Sequence, residues 1–441
     1  MVDLNERRDL RALAVASVER IAASGRDLDQ FRGIAVYDTA KDEIFTSLEL
    51  DAFRLAESAI AELALVIERY GVDEAERLTL QFVYQLLDRL AEPTFDDRVF
   101  EQLWTDFIDE LREPQWVYRG VANLRWFTAE DGPFDFGSGV SIRGRSYEEL
   151  GDLGFSDSVL RALSDDWSGF GASSYVIVVE SRVDKSPDNL VLGNLGTEWV
   201  NAQRALGALR LLAAGDVSIG RMWISRPARF NVGLGGVGSI GLSIPTMGAT
   251  YHLTTSVASR VSKMYGDLQR LEEHGYGGAP GNLDLALRSF MATYDRWPSG
   301  GDSRVLDAIT ALEAVLGSGV EIAFKLSFRT AGILAANDAQ RVAIFDEMKE
   351  YYDLRSKLVH GASLKDKHRT LMADPEGLRH FVRELLRGFI HLAVEPQPSY
   401  GKQFFKQRLD AALQDESERA ELRNTLNLGT RPKRDEAKQG H

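Results

Sequence analysis

The spacing of apolar side chains changes character at Pro114. Before it, Leu10, Leu13, Ala14, Val18 and Ile21 recur at a helical period, and so do Leu55, Ile60, Leu63, Leu65, Val66 and Ile67. Two further helical runs cover 78–90, stopped by Glu92-Pro93, and 95–111, stopped before Pro114. Ile34–Tyr37 reads as a short strand between the first two helices. Residues 1–113 are thus expected to form an N-terminal helical region.

Beyond Pro114, β-branched and aromatic residues cluster into short runs at 116–121, 138–143, 174–180, 218–224 and 240–244, with one helical pattern at 196–214. Residues 114–250 are read as a small mixed α/β domain. A helix at 253–274 runs into Gly275-Tyr276-Gly277-Gly278-Ala279-Pro280-Gly281, so 251–281 is read as a helix and Gly-rich linker. From 282 to 414 every segment is helical: 282–296, 302–316, 321–336, 339–360, 375–394 and 400–414. The short loops between them favour antiparallel neighbours, hence an all-α bundle. Residues 415–441 are polar and read as a frayed tail. The expected fold class is mainly α with an α+β middle segment.

Composition changes this picture little, except by exclusion. The chain holds no cysteine, which removes disulfides and thiolate metal sites and fits a reducing, cytoplasmic compartment. The first residues are charged throughout and lack a signal-peptide core, and no apolar run is long enough for a membrane span. Net charge is −14, which argues against a general nucleic-acid coat. It is uneven, however. Residues 339–441 carry 19 Lys and Arg against 16 Asp and Glu, a net +3, leaving −17 for residues 1–338. An RNA ligand is therefore permitted at the C-terminal end.

Gly233-Leu234-Gly235-Gly236-Val237-Gly238 matches GxGxxG in letters. The residues after it are extended and stopped by Pro245, where a dinucleotide site needs a helix, so a glycine-rich loop or hairpin is the reading. None of the seven histidines stands in a metal-ligand frame, and no cofactor is expected.

The stretch Tyr351-Tyr352-Asp353-Leu354-Arg355-Ser356-Lys357-Leu358-Val359-His360-Gly361 carries the most chemistry. Arg355 falls on the apolar stripe of the 339–360 helix, where a charge needs an anionic partner or ligand. His360 lies in the last turn before Gly361. Glu313 and Arg329 fall on apolar faces of the two preceding helices. Three helices are therefore expected to point charge inward, which leaves a positive pocket that a phosphate would complete. The alternative is that Glu313 pairs with both arginines, with Asp353 completing the set, and that His360 caps the helix. Lys365, Lys367, His368 and Arg369 follow in the next loop, and Arg379, Arg383 and Arg387 repeat every four residues. Each set reads either as a solvated face or as a path for an RNA backbone.

Arg355-x4-His360 at a helix end resembles the R-x4–6-H signature of the HEPN superfamily. The order Ala311-Leu312-Glu313, Arg329-Thr330-Ala331, then Tyr352 to Gly361 is similar to its ApeA-like branch over about residues 282–395. The helix end Ala208–Val217 is a looser likeness. Ser356 stands where many members have Asn, Asp or His. The resemblance implies a C-terminal HEPN helical bundle and a metal-independent endoribonuclease of the toxin or anti-phage abortive-infection kind, cleaving tRNA or other structured RNA. Arg355 and His360 would be catalytic, supported by Glu313, Arg329, Tyr352 and Ser356, with Lys357, Lys365, Lys367, His368 and Arg369 toward RNA. Cleavage needs one proton removed and one supplied, and one histidine per chain does half of that. Family members pair two such domains, which implies a homodimer through residues 282–414. His368 as a second proton carrier is the single-chain alternative. Residues 1–250 would meet a phage-derived trigger or a regulatory partner. A non-catalytic HEPN dimerisation or nucleotide-binding module, with Arg355 and His360 structural, is the competing reading.

Overall fold

The computed structural model describes residues 4–25, 50–130, 132–146, 172–187, 195–225, 238–240, 248–276, 279, 281–295, 301–317 and 320–428. The architecture is mainly α with an α+β middle segment, as the apolar pattern predicts. The strand expected at 34–37 and most of the GxGxxG stretch lie outside the described residues.

Among the described residues five α-helices open the chain: α1 (Leu4–Ser24), α2 (Leu50–Glu62), α3 (Ala64–Tyr70), α4 (Ala75–Arg89) and α5 (Asp97–Arg112). Their apolar faces form a core of their own, in which Phe82 meets Phe100 and Phe107 edge to face at 5.5 and 5.7 Å. Burying each such ring is worth about 1.5–3 kcal/mol.

The middle segment contributes β1 (Gln115–Arg125), β2 (Phe127–Ala129), β3 (Phe134–Gly137), β4 (Val140–Gly144), β5 (Ala172–Asp184), helix α6 (Leu195–Leu212), β6 (Ser218–Ser225), β7 (Gly238–Ile240) and β8 (Tyr251–Leu253). Among the described residues six strands pair antiparallel in the order β3-β4-β5-β1-β6-β7, and β2 pairs with β8 in parallel. β1 belongs to two cores. Trp116 and Tyr118 at its start pack among the N-terminal helices, whereas Ala122 and Leu124 belong to the main core. Gly238 opens β7, opposite Ile224, rather than a helix, which removes the dinucleotide frame at that glycine.

Helices α7 (Thr255–His274), α8 (Leu283–Asp295), α9 (Gly301–Leu316), α10 (Ile322–Leu334), α11 (Asp338–His360), α12 (Asp366–Ala373), α13 (Pro375–Val394), α14 (Lys402–Gln407), α15 (Leu409–Ala412) and α16 (Glu416–Thr425) follow. The sheet and these helices share one continuous core. Within the segment read as a linker, Ala279 is buried in that core and Gly281, at φ 56°, lies against the backbone of α9, where a Cβ would fall 2.7 Å from Ala314 O. It is a packed turn rather than a free spacer.

Buried arginines join the sheet layer to the bundle. Arg210 of α6 grips Asp295 at 2.9 and 2.7 Å, and Arg379 of α13 reaches Asp216 at 2.6 Å. Their guanidinium carbons sit 4.5 and 3.9 Å from the Tyr294 ring centroid, while Arg383 donates to the Tyr294 hydroxyl at 3.1 Å and to Arg210 O at 2.8 Å. The row Arg379, Arg383 and Arg387 is therefore neither a solvated face nor an RNA path. The first two are buried, and Arg387 is held by Glu384 at 2.7 Å.

Residues 416–428 correct the expected frayed tail. Leu422, Leu426 and Leu428 are buried in the core, and Arg419 and Arg423 donate to Ala335 O and Ile333 O at 2.9 and 2.6 Å. These carbonyls close α10, whose last turn would otherwise leave them unpaired.

Candidate functional site

Helix α11 carries the Arg355/His360 pair. It starts at Asn337, whose side chain accepts from Gln340 N, and it stops at Gly361, which takes the left-handed conformation at φ 65°. Gly361 N and Ala362 N bond back to Leu358 O and Lys357 O, the paired closure that glycine at this position allows. His360 is thereby fixed as the last helical residue. It is exposed and makes no hydrogen bond or ion pair among the described residues.

Arg355 is half-buried between α9 and α11. Its Nη2 lies 3.5 Å from Glu313 Oε1, and its guanidinium carbon is 5.6 Å from the Tyr352 ring centroid. That long ion pair is its one polar contact among the described residues. A guanidinium carries five N–H donors, so most of its capacity is unspent. Glu313 Oε1 is buried and has no hydrogen bond of good geometry. Burial and the Glu313 charge push the Tyr352 hydroxyl up from its usual range, and Arg355 partly offsets them. Ser356 is half-buried on the same helix.

Arg329 is not part of this cluster. It grips Asp410 through two bonds, 2.6 Å from Nε to Oδ1 and 2.7 Å from Nη2 to Oδ2, and its Nη1 donates to Leu316 O at the end of α9. The pocket of three inward charges expected from the sequence therefore reduces to Glu313 and Arg355. Asp353 does not join them either. It lies about 160° around the helix from Arg355, at 100° per residue.

Asp353 faces α12 instead. Its carboxylate bonds Lys357 and lies 3.0 Å from His368 Nε2. The Lys357 bond, and beyond it His368, hold Asp353 below the ordinary carboxylate value. The Lys365 amide donates to His368 Nδ1 at 3.3 Å, which orients the ring with Nε2 on the side of Asp353. His368 is 0% exposed, which corrects its reading as an RNA contact and as a second proton carrier: substrate has no access to the ring. Lys367, His368 and Arg369 also belong to a helix, α12, rather than to a loop.

The basic residues past the motif are largely neutralised at short range. Lys357 pairs with Asp353, Lys367 with Glu350, and Arg369 with Asp366 at 3.0 Å. Lys365 is exposed and makes no ion pair among the described residues. Surface pairs of this kind are worth about 0–1 kcal/mol, so a phosphate can compete for these cations.

Two features escaped the sequence reading. Asp410 is the partner of Arg329, across 81 residues, and no local pattern announces it. The other is an exposed aromatic ridge beside α11. Phe324 stacks on Phe328 at 5.9 Å and meets Phe345 edge-on at 5.8 Å, with the Lys349 amine 5.6 Å from the Phe345 ring. The spacing of Val342, Phe345, Lys349, Tyr352, Ser356 and Val359 was its legible signal. No described helix is long and apolar enough to cross a membrane. No family model, curated protein or solved structure matches this chain.

Proposed function

We propose that the chain is a metal-independent endoribonuclease of the HEPN kind, acting in the cytoplasm as a toxin or abortive-infection effector on tRNA or other structured RNA. The observation that carries this reading is the state of Arg355. Arg210, Arg329, Arg379, Arg383 and Arg419 are buried and held by carboxylates and carbonyls. Arg355 keeps one long contact and 30% of its side-chain surface in water, near an exposed histidine. It would hold the scissile phosphate and stabilise charge developing on it. His360 would move a proton at the 2′-hydroxyl or the leaving 5′-oxygen, giving a 2′,3′-cyclic phosphate and a 5′-hydroxyl. The burial of His368 leaves one accessible histidine of the motif per chain, which supports a homodimer as the working unit. Residues 1–250 would sense a phage-derived trigger or a regulatory partner.

One observation favours a second reading. The Arg355–Glu313 pair is what a non-catalytic HEPN module with a structural arginine would contain. Expression of wild type and His360→Ala at matched levels, with growth and total RNA followed under phage challenge, separates the two. Loss of RNA cleavage in the variant is the expected result. Intact RNA and equal growth for both proteins would refute the ribonuclease.

A further inference from the structure

Among the described residues, Phe324 and Phe345 take no part in the core, and Phe324 is 55% exposed. Large apolar side chains grouped in water mark an interaction site. These rings are ordered against one another. Phe324 lies parallel to Phe328, with 6° between their planes, and Phe345 stands across it at 75°. From there a line of side chains runs along α11: Phe345, Lys349, Tyr352 and Arg355, at steps of four, three and three. At 100° per residue the four fall within about 120° of the helix surface. Each ring on the line has a cation 5.6 Å from its centroid, Lys349 at Phe345 and Arg355 at Tyr352. The ridge is therefore continuous with the Arg355 cluster, and Phe345 lies about 15 Å from Arg355 along the helix axis, at 1.5 Å per residue.

We propose that this ridge is a base-stacking subsite, in which unpaired bases of an RNA lie on Phe324 and Phe345 while the backbone passes Lys349 toward Arg355. Rings interleaved with cations suit both halves of a nucleotide, because aromatic faces take bases and cations take phosphates. Arg355, with most of its donors unspent, ends the line where a phosphate would arrive. Of the carboxylates of α11, Asp338, Glu350 and Asp353 are each bound to a cation, Arg341, Lys367 and Lys357, which weakens their repulsion of a backbone.

What the ridge lacks narrows the occupant. Phe324, Phe328 and Phe345 offer ring faces and no side-chain donor or acceptor, whereas a duplex keeps its base faces inside its own stack and is met by shape and backbone. Only an unpaired stretch can lie on the rings. Stacking of this kind tolerates sequence, with preferences set by stacking strength, so the larger purine faces are favoured. At about 3.4 Å per stacked nucleotide, a run of about 15 Å holds about four. The rings thus hold bases about four positions from the phosphate at Arg355. The chemistry at that phosphate rests on the ribonuclease reading, and the subsite adds which part of the RNA the chain grips.

Binding is measured to a single-stranded oligoadenylate of about twelve nucleotides, to its abasic counterpart and to a duplex of the same length, with His360→Ala as the background that leaves the RNA uncut. Phe324→Leu and Phe345→Leu keep apolar bulk and remove the ring, and thermal unfolding of each checks the fold. Each is expected to weaken oligoadenylate binding about tenfold, the scale of one lost stacked base, and to leave duplex binding unchanged. Lys349→Gln lowers the slope of log affinity against log salt by about 0.7. The abasic oligonucleotide makes the same comparison with every ring in place: it binds about as weakly to the chain with both rings as to the Leu variants. Leu variants that bind oligoadenylate within twofold of their background overturn the subsite, and so does an abasic strand bound as tightly as oligoadenylate. Self-association lost by sedimentation in the Leu variants, with RNA affinity kept, assigns the ridge to a protein contact and also overturns it. If the Leu variants on the wild-type chain bind and cut RNA like wild type while His360→Ala does not cut, the subsite falls and the ribonuclease reading stands. If binding depends on the rings while His360→Ala cuts RNA like wild type, the subsite stands and the ribonuclease reading fails.

Discussion

Arg329 and Asp410 form a two-pronged ion pair that locks α10 to α15, and the same guanidinium closes the end of α9 through Leu316 O. This arginine is a strut, although its place on an apolar face suggested a site. Asp410→Ala leaves Arg329 buried without its carboxylate and is expected to cost about 3 kcal/mol of stability, read from the urea midpoint. On the proposed ribonuclease reading, RNA cleavage per folded molecule stays unchanged. The bond from Arg329 holds Asp410 below its ordinary value. A depressed carboxylate stabilises the fold above its unfolded pKa, near ~3.9, and that contribution is lost as pH falls through the folded value. The gap between wild type and variant should therefore close in acid. A gap that persists unchanged at pH 3 would show that the pair is not what the substitution removed.

Tyr294 is the centre of the weld between sheet and bundle. Arg210 and Arg379 lie over its ring and Arg383 holds its hydroxyl. Tyr294→Phe keeps both ring contacts and leaves one buried donor of Arg383 unmet, a loss of about 1–3 kcal/mol. Tyr294→Ala is expected to cost about 3–5 kcal/mol, the range for emptying an aromatic site. Because Asp216 and Arg210 O are acceptors from the sheet layer, residues 114–428 should unfold in one transition. Calorimetry of Tyr294→Phe checks this. Two separated transitions within residues 114–428, apart from that of the N-terminal helices with their own core, would contradict the single core.

These two sites show what the sequence did and did not make legible. The long amphipathic elements were readable: the helix expected at 375–394 is Pro375–Val394, and the one expected at 339–360 is Asp338–His360. Apolar spacing at 3.6 residues encodes those limits locally, and Gly361 supplies the stop. The fate of a charge on an apolar face was not readable, because it depends on what lies opposite. Arg329 finds Asp410 and Arg379 finds Asp216, partners 81 and 163 residues away. Arg379 and Arg383 repeat every four residues as a solvated face would, yet carbonyls and carboxylates of other elements let them be buried. The candidate site was half legible. Glu313, Tyr352 and Arg355 do meet, whereas Arg329, assigned to it from its place on an apolar face, and His368, assigned from its place just past Gly361, turn to other partners.

His368 and Asp353 hinge α12 onto α11. His368→Ala removes a fully buried ring and leaves Asp353 to Lys357 alone, so the segment from Gly361 to Ala373 should loosen. Faster amide exchange confined to α12, with the rest of the chain unchanged, is the expected signature. Asp353 is held low by Lys357 first. Its contribution is thus present above the unfolded carboxylate value and disappears as pH falls through the folded one. Asp353→Asn should mimic the acid form at neutral pH. If exchange in α12 is the same in Asp353→Asn and wild type at pH 7, the carboxylate is not the hinge.

Glu313 and Arg355 decide between ligand site and structural pair. Their contact is long, and both side chains keep some exposure, so breaking it is expected to cost less than about 1 kcal/mol. Glu313→Gln preserves volume and frees Arg355 from its one carboxylate. Arg355→Lys keeps the charge and loses the planar fork that matches a phosphate. For a phosphate-holding arginine, Arg355→Lys lowers cleavage by about 10²-fold, the scale of one lost charge-stabilising donor. His360→Ala lowers it by about 10²–10⁴-fold, the scale of a general acid or base. Melting temperatures should stay near wild type in all three, since none of these side chains is fully buried. The structural reading predicts the opposite association. Glu313→Gln and Arg355→Lys would then each lower the melting temperature, and any loss of cleavage would track the fraction unfolded, disappearing once activity is normalised to folded protein.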